Sequence, residues 1–332
     1  MDPLIKDRYN DAILQEAMRR YGIAGDQIRT LDAFESFIYE FERDSHGYIL
    51  RISHSSRRSE SLVHGEVDWI NYLADGGVSA ARAVLSDSGE LVEAIDDQRG
   101  GAFLVTAFVK APGQAPWDLW TPELYESYGE MIGRIHTLSK SYQPGQAAWR
   151  RPEWDDDLFE FVERYLPDSE AVAKKKYREV CDHVNTLAKD RDSYGLIHQD
   201  AHGSNFFVDE TGQITLFDFD ECAYNWFINE IAIVLFYIVQ SAKDWRAFTA
   251  EFMMHFLRGY VRACPLDAAW LKEIPHFLKI REIELYAVMY RDFDVDNIDD
   301  EWCARFMQGR KARIEHDTPF IDFDFASLST KI

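Results

Sequence analysis

Hydrophobic positions along the chain repeat in two different ways. Between residues 4 and 21, Leu4, Ile5, Ile13, Leu14, Ala17, Met18 and Tyr21 recur at helical spacing up to Gly22, which predicts one N-terminal helix. From residue 28 to 53 the pattern turns to aromatic and β-branched residues. Two such runs, 34–41 and 48–53, flank Asp44-Ser45-His46-Gly47, a β-hairpin signature. Helical spacing returns over 59–74 and is closed by Asp75-Gly76-Gly77, and short strands are expected at 80–85, 91–95 and 102–109.

Lys110 to Pro116 reads as a connector, after which helical patterns dominate: 122–139, 155–164, 169–189 and several between 227 and 313. They are interrupted by short apolar pieces at 196–197, 206–208 and 214–217, the last two separated by a turn at Glu210-Thr211-Gly212. The expected class is therefore α+β: an N-terminal lobe (1–109) of antiparallel sheet with one internal helix, preceded by the helix at about 4–21, and a larger helical lobe (110–332). A cleft between two such lobes is where a ligand would be expected.

With 46% hydrophobic and 14% aromatic residues, the 332-residue chain can bury a large core. The formal net charge of −22 argues against a nucleic-acid-binding face or a polybasic membrane anchor, which need clustered Lys and Arg. It fits a highly soluble surface, or acidic walls that attract a cationic substrate. Cys181, Cys222, Cys264 and Cys303 form no metal-binding or disulfide pattern. The first residues lack a basic stretch followed by an apolar one, and no run of 18 apolar residues occurs. A reduced cytoplasmic protein is expected, a monomer or homodimer, without nucleic-acid or membrane partners.

Candidate chemistry is concentrated in His198-Gln199-Asp200-Ala201-His202-Gly203-Ser204-Asn205, followed thirteen residues after the Asn by Asp218-Phe219-Asp220. Phosphoryl transfer asks little covalent work of a protein: an Asp to orient the attacking hydroxyl and accept its proton, and an Asn and a second Asp to hold the bridging metal. Asp200, Asn205 and Asp218 suit those roles, because two short strands around a tight turn bring Asn205 and Asp218 to the same side. Magnesium prefers such hard oxygen ligands. Singly, each residue is an ordinary turn former. Together, four residues at these offsets would arise by chance about one time in a thousand. His198 reads as architectural, His202 as either loop packing or a substrate or metal-shell contact, and Asp220 as a second carboxylate near the metal or a structural one.

These motifs resemble those of the aminoglycoside phosphotransferase family, which includes choline and homoserine kinases and has a protein-kinase-like fold. The pattern His-Gly-Asp-x-His-x-x-Asn and Ile-Asp-Phe-x-Asp is met by His198, Asp200, His202, Asn205 and Asp218, with Gln199 in place of Gly and Asp220 one residue short of the second pattern's last Asp. The resemblance implies Asp200 as catalytic base, Asn205 and Asp218 as Mg2+ ligands, and ATP as donor, with GTP not excluded. It also places Arg51, on the strand Tyr48-Ile49-Leu50-Arg51-Ile52, where kinases carry a phosphate-contacting Lys. Its partner would be Glu66, with Glu60 as competitor. The loop before residue 37 contains no Gly, leaving Ser36 and backbone N–H groups for phosphate contact. Ala107, Phe108 and Val109 resemble the segment whose backbone meets the adenine edge. Glu230, in Asn229-Glu230-Ile231-Ala232, replaces the Asp that braces the catalytic loop.

The implied activity is transfer of the γ-phosphoryl group to a hydroxyl of a small molecule, with aminoglycosides, choline-like amino alcohols and homoserine-like compounds as candidate acceptors. Alternatives are a Ser/Thr protein kinase, which the missing Ala-Pro-Glu segment disfavours, and a silent nucleotide-binding pseudokinase. The acidic run 292–301 reads as a solvated loop or as an electrostatic funnel for an amine, with Tyr224, Trp226, Tyr286 and Tyr290 as cation–π candidates.

Overall fold

The computed structural model describes residues 2–25, 27–33, 35–156 and 158–331. The chain forms two compact units that are not consecutive in sequence. Unit 1 comprises residues 1–116, 141–151 and 204–220, and unit 2 comprises 117–140, 152–203 and 221–332.

In unit 1 the expected N-terminal helix is two helices, α1 (Pro3–Arg8) and α2 (Asp11–Arg20). The break lies at Asn10, whose Oδ1 accepts from the N–H groups of Ala12 (3.0 Å) and Ile13 (3.3 Å) and so starts a new helix. Strands β1 (Ile28–Leu31), β2 (Phe37–Arg43), β3 (His46–His54), β4 (Ala83–Val84), β5 (Glu93–Asp96) and β6 (Ala102–Val109) form one antiparallel sheet. Its order is β1-β2-β3-β6-β4, with β5 also on β6. Phe34, expected to open the first hairpin strand, lies outside the described residues. The helix expected over 59–74 is α3 (Glu60–Asp75), capped by Ser59. Expected strand 80–85 shrinks to β4 because Ala81 N–H goes to Leu216 O (2.8 Å) and Ala83 N–H to the Asn71 side chain (3.0 Å). The sheet's core joins Ile13, Ala17, Met18 and Tyr21 of the N-terminal helical segment to Phe41, Leu50, Ile52, Phe103 and Val105. Burying such side chains is worth roughly 1.5–3 kcal/mol each before entropy is counted.

The hairpin of β8 (Phe206–Val208) and β9 (Ile214–Leu216) belongs to this same unit. Leu216 N–H donates to Ser79 O (3.0 Å), and Val208 and Gln114 exchange backbone hydrogen bonds of 2.8 and 3.1 Å. Gly113, at φ +89°, is required there: a Cβ would lie 2.0 Å from Val208 O.

Unit 2 contains α4 (Pro122–Ser139), α5 (Leu158–Tyr165), α6 (Ala171–Val184), α7 (Phe227–Ile238), α8 (Trp245–Ala263), α9 (Ile274–Asp292), α10 (Glu301–Met307) and α11 (Arg310–Glu315). A two-stranded antiparallel sheet pairs β7 (Tyr194–Ile197) with β10 (Ala223–Trp226). The sequence pattern did not predict β10, and Asp157 of the expected helix 155–164 lies outside the described residues. The helix expected to reach residue 189 ends at Val184, where Thr186 and Leu187 switch to i→i−3 hydrogen bonds. Apart from Asn229 and Glu230, α7 is apolar nearly all round, and it is buried along almost its whole length. α4 and α8 pack backbone against backbone: a Cβ on Gly129 would sit 1.9 Å from Phe256 O, and one on Gly259 1.9 Å from Glu126 O.

All four cysteines are free and buried. Among the described residues no helix is long and apolar enough to cross a membrane.

Candidate active site

In unit 2, the segment after β7 carries His198, Gln199 and Asp200, and its main chain is held from two sides. The fully buried Glu230 carboxylate, in the first turn of α7, accepts from His198 N–H (2.7 Å) and Gln199 N–H (3.0 Å). The longer Glu at the bracing position therefore reaches both donors. Tyr128 Oη of α4 donates to Ala201 O. His198 is buried, and its Nδ1 accepts from Asp200 N–H (3.3 Å), which fits an architectural role.

Gln199 has φ +70°, the left-handed region that a Gly would occupy without strain. Its side chain compensates: Oε1 accepts from Nδ2 of Asn225 (3.0 Å) and of Asn229 (3.3 Å). Two of this chain's departures from the family pattern, Gln199 and Glu230, are hydrogen-bonded to each other through the Gln199 N–H.

The Asp200 carboxylate is partly exposed and doubly engaged. Arg281 of α9 donates to Oδ1 at 2.5 Å, and His202 Nε2 lies 3.3 Å from Oδ2. Burial alone would raise its pKa, but His202 and Arg281 outweigh it and hold the carboxyl well below the usual range. The same Arg281 terminal nitrogen donates to Tyr237 Oη (2.7 Å), while Glu284 lies 3.7 Å away. Burial pushes the Tyr237 phenol up to about 12 and also raises the Glu284 carboxyl.

In unit 1 the buried guanidinium of Arg51 is bidentate to Glu66, with both bonds at 2.7 Å. The partner is Glu66; Glu60, on the first turn of α3, lies instead 3.9 Å from His64. Desolvation opposes the Arg51 charge, but Glu66, Asp220 and Asp218 stabilise it and raise its pKa. Each Arg51 terminal nitrogen retains a second N–H that can be offered to a phosphate oxygen.

Asn205 and Asp218 lie at the same end of the β8–β9 hairpin. Phe217 N–H donates to Asn205 O (2.9 Å), extending the β8–β9 ladder by one rung, and Asp218 follows at φ +62°, with its side chain exposed. An amide oxygen and a carboxylate on neighbouring rungs form the hard donor set that suits Mg2+. Asp220 sits in an arginine cluster: it ion-pairs with Arg57, Arg58 lies 3.7 Å off, and Arg151 donates to its main-chain oxygen at 2.6 Å. Burial would raise this carboxyl, and the arginines depress it well below the usual range.

Ser36 is half-buried on the loop entering β2. Ala107, Phe108 and Val109 lie within β6, paired with β3, with Ala107 and Phe108 also paired with β4. Val109 N–H is donated to Arg82 O (2.9 Å) and Lys110 N–H to Gly47 O (3.0 Å).

The acidic run is locally occupied: Asp294 Oδ1 accepts from Asp296 N–H (3.2 Å), and Asp300 caps α10. Trp226 and Tyr286 are buried, and the Tyr286 and Tyr290 hydroxyls donate to Glu170 at 3.1 Å. Sequence reasoning missed Arg281, Tyr237, Arg57 and Arg58. Only the Arg57-Arg58 pair, directly before a helix cap, offered a local cue.

Comparison with known proteins agrees with this arrangement. Residues 28–273 match the phosphotransferase enzyme family. Amicoumacin kinase of Bacillus subtilis (strain 168) is 39% identical over 325 residues, covering 96% of each chain. The structure of amicoumacin kinase hAmiN in complex with AMP-PNP, Ca2+ and Ami superposes with a TM-score of 0.94 at 37% identity, over 99% of this chain and 100% of that one. A microcompartment-associated aminopropanol kinase shares the fold, with a TM-score of 0.74 at 22% identity over 92% of this chain and 97% of that one. The protein-kinase alternative is not favoured. The chain belongs to the phosphotransferase enzyme family, as a small-molecule kinase that acts on a hydroxyl group.

Proposed function

We propose that this kinase transfers the γ-phosphoryl group of ATP to a hydroxyl of amicoumacin or a close analogue. The observation that carries this reading is the 39% identity to amicoumacin kinase across 96% of both chains. The kinase is further proposed to work in the cytoplasm, as a monomer or homodimer, in keeping with its buried free thiols.

Asp200 is the group that receives the acceptor hydroxyl. With its pKa held low it is a weak base, so its main contribution is to orient the hydroxyl, taking the proton only as the new O–P bond forms. Arg281 and His202 each approach one of its carboxylate oxygens. Glu230 and Tyr128 fix the loop's main chain, and Arg281 fixes the carboxylate's rotation. Asn205 and Asp218 would hold Mg2+, which would supply positive charge to offset that of the nucleotide phosphates. Arg51, set by Glu66, contacts phosphate oxygens, and the backbone after Val109 meets the adenine.

The test is Mg2+-dependent ATP consumption by the purified protein with amicoumacin, an aminopropanol, spectinomycin and hydroxylysine, alongside Asp200→Ala. Phosphorylation of amicoumacin, lost in the variant, is expected. Turnover confined to another acceptor would overturn the substrate assignment, and turnover preserved in Asp200→Ala would overturn the role of Asp200.

A further inference from the structure

On unit 2, away from every residue assigned above, two helix ends meet around a buried carboxylate. His183 lies in the last turn of α6, Glu273 immediately precedes α9, and His276 is in the first turn of α9. We infer that His183, Glu273 and His276 form a binding site for one divalent first-row transition ion, Zn2+ foremost.

One ligand atom from each residue converges on a small volume, all within 4.8 Å of one another. Glu273 Oε2 lies 2.8 Å from His183 Nε2 and 3.1 Å from His276 Nδ1. Metal–ligand bonds of about 2.0–2.2 Å put neighbouring tetrahedral ligands roughly 3.3 Å apart, so an ion needs the two carboxylate–imidazole distances to open by only a few tenths of an ångström.

A plain hydrogen-bonded trio explains the geometry less well. His183 Nε2 hydrogen-bonds to Glu273 Oε2 at 2.8 Å, whereas the buried Nδ1 of His276, 3.1 Å from the same oxygen, is poorly aligned for a hydrogen bond. A ring nitrogen that is close to a carboxylate oxygen but badly aligned to it is one that a shared ion would satisfy.

The donor set also indicates which ion. Two imidazole nitrogens and one carboxylate favour Zn2+ and its neighbours over Mg2+ or Ca2+, which take oxygen ligands. The Glu273 side chain is 8% exposed, whereas those of His183 and His276 are 41% and 39% exposed, so the charge is sheltered while ion and water have access. The ion would fasten the end of α6 to the start of α9, five residues before Arg281.

The test uses the full-length protein, freed of metal by a chelator and then held in excess Mg2+ to fill oxygen-ligand sites. Zn2+ is titrated by calorimetry, and melting is followed with and without it. One Zn2+ per chain and a raised Tm are expected in the wild type. Loss of an outer-shell partner alone costs about 10- to 100-fold in metal affinity, so His183→Ala and His276→Ala should each lose at least about 100-fold and the Tm response. Metal-free melting curves verify that both variants fold, and Co2+ supplies a second readout through ligand-field absorption that each variant abolishes. No stoichiometric Zn2+ uptake by the wild type, or affinity within threefold of wild type in either variant, would overturn the inference.

Discussion

Replacing Glu230 by Gln removes one negative charge from the centre of unit 2 while nearly preserving its shape. The carboxylate accepts two main-chain hydrogen bonds, 2.7 Å from His198 N–H and 3.0 Å from Gln199 N–H, at a site with no solvent exposure. Bonds to a charged partner contribute about 1.5–3 kcal/mol each, and a buried N–H left unsatisfied costs about 1–3 kcal/mol. A carboxamide can turn its oxygen to only one N–H and must present NH2 to the other. One bond is lost, and a donor faces a donor. The expected cost is about 2–4 kcal/mol, a large part of a typical stability of about 5–15 kcal/mol. Because Asp200 follows on the same loop, the surviving enzyme should lose kcat more than it gains KM, and a displacement of about 1 Å can cost about 100-fold. Urea unfolding and steady-state kinetics measure both effects. A stability change below about 0.5 kcal/mol with unchanged kcat would refute the account of Glu230 as the loop's anchor.

The remaining predictions concern neighbouring contacts. Arg281→Met removes the cation that lowers Asp200. A depressed carboxyl contributes stability that is present above its unfolded pKa of about 3.9 and is lost as pH falls through the folded value, so the acid limb should move to higher pH in the variant. Superimposable acid limbs, compared in a Glu284→Gln background to silence that carboxyl, would contradict this. Arg51→Met strands the buried Glu66 charge and should cost about 3–5 kcal/mol in chemical unfolding; a loss under about 1 kcal/mol would mean the pair is dispensable. Gln199→Ala keeps the left-handed backbone strain and strands two Asn amides, whereas Gln199→Gly relieves the strain. The Gly variant should be the more stable of the two by about 1 kcal/mol, and the reverse order would show that φ +70° is not costly here. Burial of all four cysteines predicts that a thiol reagent labels none before unfolding, and rapid labelling of the native protein would contradict it.

The parts of the site legible in the sequence are those encoded within one short stretch. Asn205 and Asp218 could be paired because the apolar runs on either side of Glu210-Thr211-Gly212 specify a hairpin, and hairpin register is local. Arg51 and Glu66 lie 15 residues apart on a strand and the following helix, and the resemblance carried them. Arg281, 81 residues beyond Asp200, has no such cue: within α9 it is one more polar residue, and only the packing brings it to the carboxylate. Asn10 was misread because apolar spacing continues across it, while a cap depends on a side chain turning back to the backbone. Similarly, β10 is too short for any periodicity to reveal, and pairing with β7 alone defines it.

The bracing of the catalytic loop also bears on how this enzyme could acquire new acceptors. The main chain around Asp200 is tied to α4 through Tyr128 and to α7 through Glu230. α4 in turn is locked to α8 at Gly129 and Gly259, where no larger residue fits. α9 reaches the Asp200 carboxylate through Arg281, while most of its other side chains are buried against the rest of the unit, α7 included. Selection for new acceptors can therefore draw on the part-exposed positions of α9, such as Val288, but not on its buried face, because disturbing α7 would unseat Glu230 and with it the loop.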